Sequence, residues 1–125
     1  VATALRRALW TAGMQIRGSP TVDAIDRAHL DAQTFGDADL AAELLGLFAE
    51  QCLRILPRLS DAALPGQDRA DLAHTLKGSA ASVGAGRVRD LAAAAESALR
   101  GGGDGADAVA ALGPAVAAVL AEIAG

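Results

Sequence analysis

Apolar residues recur at three- and four-residue spacings along most of this chain, the period of an amphipathic helix. From about Asp37 to Ala63, Leu40, Leu44, Leu47, Phe48, Cys52, Ile55, Leu56 and Leu59 follow that period as an inner face. Glu43, Glu50, Arg54, Arg58 and Asp61 fall largely elsewhere. A long helix is predicted there, kinked at Pro57 or broken soon after it, because an interior proline costs ~3 kcal/mol and removes a backbone bond. Leu64-Pro65-Gly66 reads as the following turn. A second helix is expected from about Asp68 to Val83, with Ala73, Leu76, Ala80 and Val83 on one narrow stripe and Gly84 at its end. A third, from about Arg87 to Leu99, turns Val88, Leu91, Ala92, Ala95 and Leu99 inward. Past the loop Gly101–Gly105, a fourth from about Ala106 to Ile123 carries Val109, Leu112, Val116, Val119, Leu120 and Ile123. Gly113-Pro114 is expected to bend or split it.

Shorter elements precede these. Val1 to Ile16 can form a helix anchored by Trp10, which Gly18-Ser19-Pro20 then breaks; it is read as an N-terminal extension, residues 1–20. Thr21 or Asp23 can cap a short helix carrying Ile25, His29 and Leu30, and Phe35-Gly36-Asp37 closes it, with Asp37 capping the next element. Four long amphipathic segments with short connections predict an all-α domain over residues 21–125, an antiparallel up-down-up-down four-helix bundle.

Composition sharpens this picture. Hydrophobic residues make up 52% of the chain but aromatics only 2%, so the core is built from Ala, Leu, Val and Ile, which suits closely packed helices rather than strands. The net charge of −4 gives no electrostatic footprint for nucleic acid. Charge is uneven: residues 1–20 hold three Arg and no acid, residues 21–66 eight acids against three bases, and only residues 67–100 of the remaining body are not acidic. Such a segment suits a phosphoryl group or an acidic partner. The single Cys52 reads as a buried structural thiol. His29 reads as a surface or cap histidine rather than a metal ligand, since no His or Cys stands near it at a ligand spacing. No apolar run of ~20 residues is free of Gly, Pro and charge, and the N-terminus lacks a clear signal-peptide core. The expected compartment is the cytoplasm.

The candidate chemistry lies in Ala73-His74-Thr75-Leu76-Lys77-Gly78-Ser79-Ala80. On a helical wheel His74 falls roughly 140° from the middle of the apolar stripe, so it faces solvent, with Lys77 at i+3 and Gly78 at i+4 beside it. An exposed neutral imidazole can attack phosphorus, bind a metal or move protons. Metal binding needs convergent ligands, and Asp71 is the nearby candidate; hydrolysis needs a nucleophile and an orienting acid in a cleft. Phosphoryl transfer fits better. Lys77 can offset charge on phosphoryl oxygens. Gly78 costs a helix ~1 kcal/mol relative to Ala, and a side chain there would lean back over His74.

These residues, with Val83-Gly84-Ala85 after them, resemble the signature of the histidine phosphotransfer (HPt) domain of phosphorelays. Ile25-Asp26, Phe35-Gly36-Asp37, Leu44, Phe48, Leu91 and Glu96 extend the likeness over roughly residues 21–124. The resemblance implies His74 as the phospho-accepting residue, Lys77 steadying the phosphoryl group, and Gly78 keeping the approach open. It further implies Glu96 as a residue that orients the ring or contacts a partner, and Arg100, one turn on, as a weaker supporting residue; a plain surface pair is the other reading of these two. Donor and acceptor would be aspartates of receiver domains in response regulators or hybrid sensor kinases, which bring their own Mg²⁺, so the chain itself needs no cofactor. A monomer is favoured, with no membrane and no nucleic-acid partner. The domain is expected to be a phosphoryl carrier rather than a kinase, since no ATP-binding glycine loop is present. Two other classes stand beside this: a docking adaptor in which His74 is only a contact, and a metal- or base-dependent hydrolase.

Overall fold

The computed structural model describes residues 24–125. Among them are five helices and no strand: α1 (Arg27–Gln33), α2 (Ala38–Leu59), α3 (Gly66–Val83), α4 (Gly86–Arg100) and α5 (Ala106–Ala124). The expected helix over residues 1–16, its Trp10 anchor and the extension 1–20 lie outside the described residues, as do Thr21 and Asp23. The cap of α1 is Asp26, whose Oδ1 accepts from the His29 backbone N–H at 3.1 Å. Ile25 therefore precedes the helix and is fully buried. Asp37 caps α2 as expected, accepting from the N–H groups of Asp39 at 3.0 Å and Leu40 at 3.1 Å.

The buried face of α2 is Leu45, Phe48, Cys52, Ile55 and Leu59. Leu47 belongs to the expected inner face, but it is 56% exposed. It lies roughly 120° round the helix from the centre of that face, and Leu45 takes its place. Leucines occur on more than one side of this helix, so apolar character alone does not fix the inward direction. Pro57 lies in the last turn, and the helix stops at Leu59. The Leu59 carbonyl is capped from α3: the buried Arg69 guanidinium donates to it through Nε at 2.9 Å and through a second nitrogen. A cation at a helix C-terminus meets both an unpaired carbonyl and the negative end of the macrodipole.

Ala73, Leu76, Ala80 and Val83 are all buried, as their stripe predicted. The helix ends in a left-handed Gly84 with φ 79°, and Ala85 N–H returns to the Ala80 carbonyl at 2.8 Å, the closing bond of a Schellman motif. A Cβ on Gly84 would lie 2.8 Å from the Asp26 carbonyl oxygen. Glycine is needed here for conformation and for space, because the Asp26 N–H bonds the Gly84 carbonyl at 2.8 Å and ties the start of α1 to this turn.

The packing joins neighbours in a closed circuit: α2 on α3, α3 on α4, α4 on α5, and α5 back on α2, with α1 against α2 and α3. The α3–α4 seam is the most extensive. Both helices bury alanines, Ala70, Ala73 and Ala80 of α3 and Ala92 and Ala95 of α4, and small buried side chains let helix axes approach closely.

Gly113-Pro114 does not split α5, which continues as a single helix from Ala106 to Ala124. Ala110, Gly113 and Pro114 are all exposed. The Ala110 carbonyl freed by the proline therefore faces water, and the ring meets its clash on the solvent side, where a helix can yield. By length and apolar composition α5 could cross a membrane. Core helices meet the same criterion, and Leu112, Ala115, Val116, Val119 and Ala121 of α5 are buried in the bundle.

Candidate functional site

His74 projects from the middle of α3 with its side chain 62% exposed. Its Nδ1 lies 3.0 Å from Oε2 of Glu96 on α4. The other Glu96 oxygen, Oε1, accepts from Lys77 Nζ at 2.8 Å. Arg100, one turn after Glu96, donates Nε to the same Oε2 at 3.1 Å and reaches back to Asp71 Oδ1 on α3 at 3.0 Å through a terminal nitrogen. The Glu96 side chain is only 13% exposed, so it forms the half-covered floor of an otherwise open network. With the α3 and α4 helices in extensive contact, a glutamate on one spans to two side chains on the other.

The charges set each other. The hydrogen bond from Lys77, with that from Arg100 and the charges of His74 and Lys77, outweighs the effect of burial and holds the Glu96 carboxyl down at about 2. An ionised carboxylate only accepts hydrogen bonds, so the nitrogen facing it, Nδ1, carries the ring proton. The lone pair of the neutral imidazole then lies on Nε2, on the side away from Glu96. Arg100 is held charged more firmly than usual, first by Asp71 and then by Glu96.

Gly78 is exposed, and a Cβ added there would meet nothing within 4 Å. No packing among the described residues demands a glycine at this position. Gly46 and Gly113 are equally open, so it is the place of Gly78, one turn from His74, that sets it apart.

His74, Lys77, Gly78, Glu96 and Arg100, the candidates by sequence, lie together on one face of α3 and α4. Asp71, a candidate metal ligand by sequence, is here the ion-pair partner of Arg100. Its spacing of three residues from His74 was the available signal. Glu96 and Arg100 form an i,i+4 pair as expected, but Glu96 also bonds two α3 side chains, so a surface pair is not their whole description. Among the described residues no three His, Cys, Asp or Glu side chains come together as a metal site.

Other candidates lie elsewhere. Cys52 is fully buried, and burial pushes its thiol up to about 11, as a structural cysteine requires. His29 is neither a surface nor a cap residue: it sits half-buried in the first turn of α1, with Nε2 buried and unpaired among the described residues. A cleft of about 750 Å³ opens between α1, α2 and the end of α5, lined in part by Arg27, Asp31, Leu45 and Ile123. It contains no residue of the His74 network. Chemistry on an exposed imidazole needs no pocket of its own if a partner brings the rest.

The family comparison places the chain at the level of the domain. A family model described as the Hpt domain matches residues 43–125, from the second turn of α2 to the last residue of the chain. That is narrower than the likeness read over roughly residues 21–124, which also took in α1. No curated protein and no solved structure matches. Hpt domains are phosphocarrier modules with a phosphotransfer role in two-component signalling. With well over half of its length matched, the chain belongs to the Hpt domain family.

Proposed function

We propose that this domain is a phosphorelay intermediate in which His74 accepts a phosphoryl group from one receiver-domain aspartate and passes it to another. The carrying observation is the 3.0 Å contact between His74 Nδ1 and an ionised Glu96, which fixes the tautomer and leaves Nε2 as nucleophile. In the forward step the Nε2 lone pair attacks phosphorus. The N–P bond forms as the bond from phosphorus to the receiver's aspartyl oxygen breaks, and the carboxylate leaves with the electron pair. The ring keeps its Nδ1 proton and becomes cationic, and the negative Glu96 beside it stabilises that charge. Return transfer reverses each event. Lys77 steadies the phosphoryl oxygens, Gly78 leaves the line of approach open, and Arg100 stands by as a second cation.

The fold in this reading is an antiparallel up-down-up-down bundle of α2, α3, α4 and α5, supported by their packing circuit and the short turns between them. The domain works as a monomer in the cytoplasm, adds no metal, and relies on the receiver for Mg²⁺ and for the acid pocket around the aspartate. Its own function is that of a carrier and not of a catalyst.

The test is to mix the protein with a phosphorylated receiver domain. Acid-labile, base-stable label should appear on the protein, and His74→Gln should abolish it while helicity and melting temperature stay nearly unchanged, since the side chain is exposed. Full labelling of His74→Gln would place the acceptor elsewhere. Receiver binding without any label would make the domain a docking adaptor.

A further inference from the structure

Asp71 has no part in the transfer chemistry above, yet it holds one end of Arg100 at 3.0 Å while Glu96 holds the other at 3.1 Å. We propose that Asp71 is the resting counter-ion of Arg100, and that phosphorylation of His74 moves the terminal nitrogens of Arg100 from the Asp71 carboxylate to the phosphoryl oxygens. This rests on the reading of His74 as the phosphoryl carrier.

Three features of the geometry carry the proposal. The first is proximity. His74 Nδ1 and Arg100 Nε share a single oxygen, Glu96 Oε2, so the ring and the guanidinium are neighbours across that atom. Rotation of the Arg100 stem can redirect its outer edge toward the ring. The second is charge. The cations Lys77 and Arg100 balance the carboxylates Glu96 and Asp71, so the resting site with a neutral imidazole has no net charge. A phosphoryl group on Nε2 adds negative charge that this balance does not meet, three residues along α3 from Asp71, where side chains are neighbours. Asp71 left in place would then repel the new group.

The third is unequal exposure. The Glu96 side chain is only 13% exposed and its bond to Lys77 is part-buried, whereas the Asp71 side chain is 67% exposed and water competes for its bond to Arg100. The Asp71 contact is therefore the one most easily given up. A guanidinium gains more from phosphoryl oxygens, which offer more charge and a bidentate geometry, than from one exposed carboxylate oxygen. Arg100 stays anchored through Nε as its outer edge changes partner. Asp71 is thus a positioning residue: it parks Arg100 beside the ring without letting it hold the site closed, and it is exposed to solvent once the carrier is loaded.

The experiment loads His74 without a receiver, using phosphoramidate, whose P–N bond breaks with loss of ammonia as the bond to Nε2 forms. Side-chain NMR of the loaded wild-type protein should show the Arg100 Nε and Nη signals and the Asp71 carboxyl carbon shifting together. Separately, Asp71→Asn should move the transfer equilibrium with a receiver toward phosphorylated His74 by about two- to five-fold, the range that one exposed ion pair supplies. That gain should vanish in an Arg100→Gln background. Unchanged Arg100 and Asp71 signals on loading overturn the proposal, and so does a gain of the same size in the Arg100→Gln background, which would mean direct repulsion by Asp71. Signals that shift with phosphoramidate, in a protein that no receiver labels, would uphold the exchange and remove the relay reading instead. Failure of phosphoramidate to load His74 would overturn both.

Discussion

Glu96 accepts from Lys77, His74 and Arg100 with two oxygens, and its acidity records that. The sign follows from the direction of the shift: the folded carboxyl lies at about 2, below its ordinary value of 4.5, because Lys77 above all holds the ionised form. The network's contribution to stability is therefore complete above about pH 4.5 and is lost as the pH falls toward 2. A carbon-detected titration of the Glu96 carboxyl should give a midpoint near 2; a midpoint near 4.5 would mean that the three donors do not hold it in solution. Gly78 sits at the same scale with the opposite logic. With nothing within 4 Å of a Cβ built there, Gly78→Gln should fold at least as well as wild type, since a helical glycine costs ~1 kcal/mol. The longer side chain leans toward His74, so transfer from a receiver should slow by at least about ten-fold, a loss typical of spoiled alignment. Small phosphodonors, needing less room, should be affected less. Equal receiver transfer in both proteins would remove access as the reason for the glycine. Lys77→Ala should slow transfer or shorten the life of the loaded state without abolishing acceptance; rates and lifetimes equal to wild type would leave Lys77 as a tether for Glu96 alone.

At the scale of the elements, the ends of the helices are determined as much by contacts between helices as by local signals. Asp26 and Asp37 cap their own helices. The last turn of α2, by contrast, is closed by Arg69 from the next helix. Arg69→Ala leaves the Leu59 carbonyl without its charged donor in a covered place, at a cost of roughly 1–3 kcal/mol. Thermal unfolding of that variant should come at least about 4 °C lower. His74 labelling at a temperature where both proteins are folded should be unchanged, because Arg69 touches none of the site residues. An unaltered melting temperature would show that water caps α2 equally well.

For the whole molecule, the packing circuit presents α3 and α4 together as one face, with His74 near its middle. A receiver that reaches Nε2 must cover that face, over a modest and transient interface. Backbone shifts on adding an unphosphorylated receiver should centre on residues 71–82 and on the facing turns of α4 around Glu96. Shifts confined to α5 would contradict the proposed docking side.

How much of this was legible beforehand follows from the range of each force. Helix positions, the Asp37 cap, the glycine stop after Val83 and the exposure of His74 depend on residues within a turn or two of one another, so periodicity and capping rules reach them. The same local rules misplace the cap of α1 and count Leu47 as inward, because either of several polar residues can cap and a leucine can lie on any side. They also leave open a split of α5 at Gly113-Pro114 that does not occur, since the cost of a proline depends on whether the freed carbonyl faces water, and burial decides that. The spacing placed Lys77 and Gly78 beside His74, for they share its helix. That Glu96 would floor the site, that Arg100 would join it to Asp71, and that Arg69 would close α2 were decided by tertiary packing alone. These contacts span 10 to 29 residues of chain, and those of Glu96 and Arg100 depend on how closely the α3 and α4 backbones approach. That distance is set by which small side chains meet at the seam, a property of two packed surfaces and of neither helix by itself.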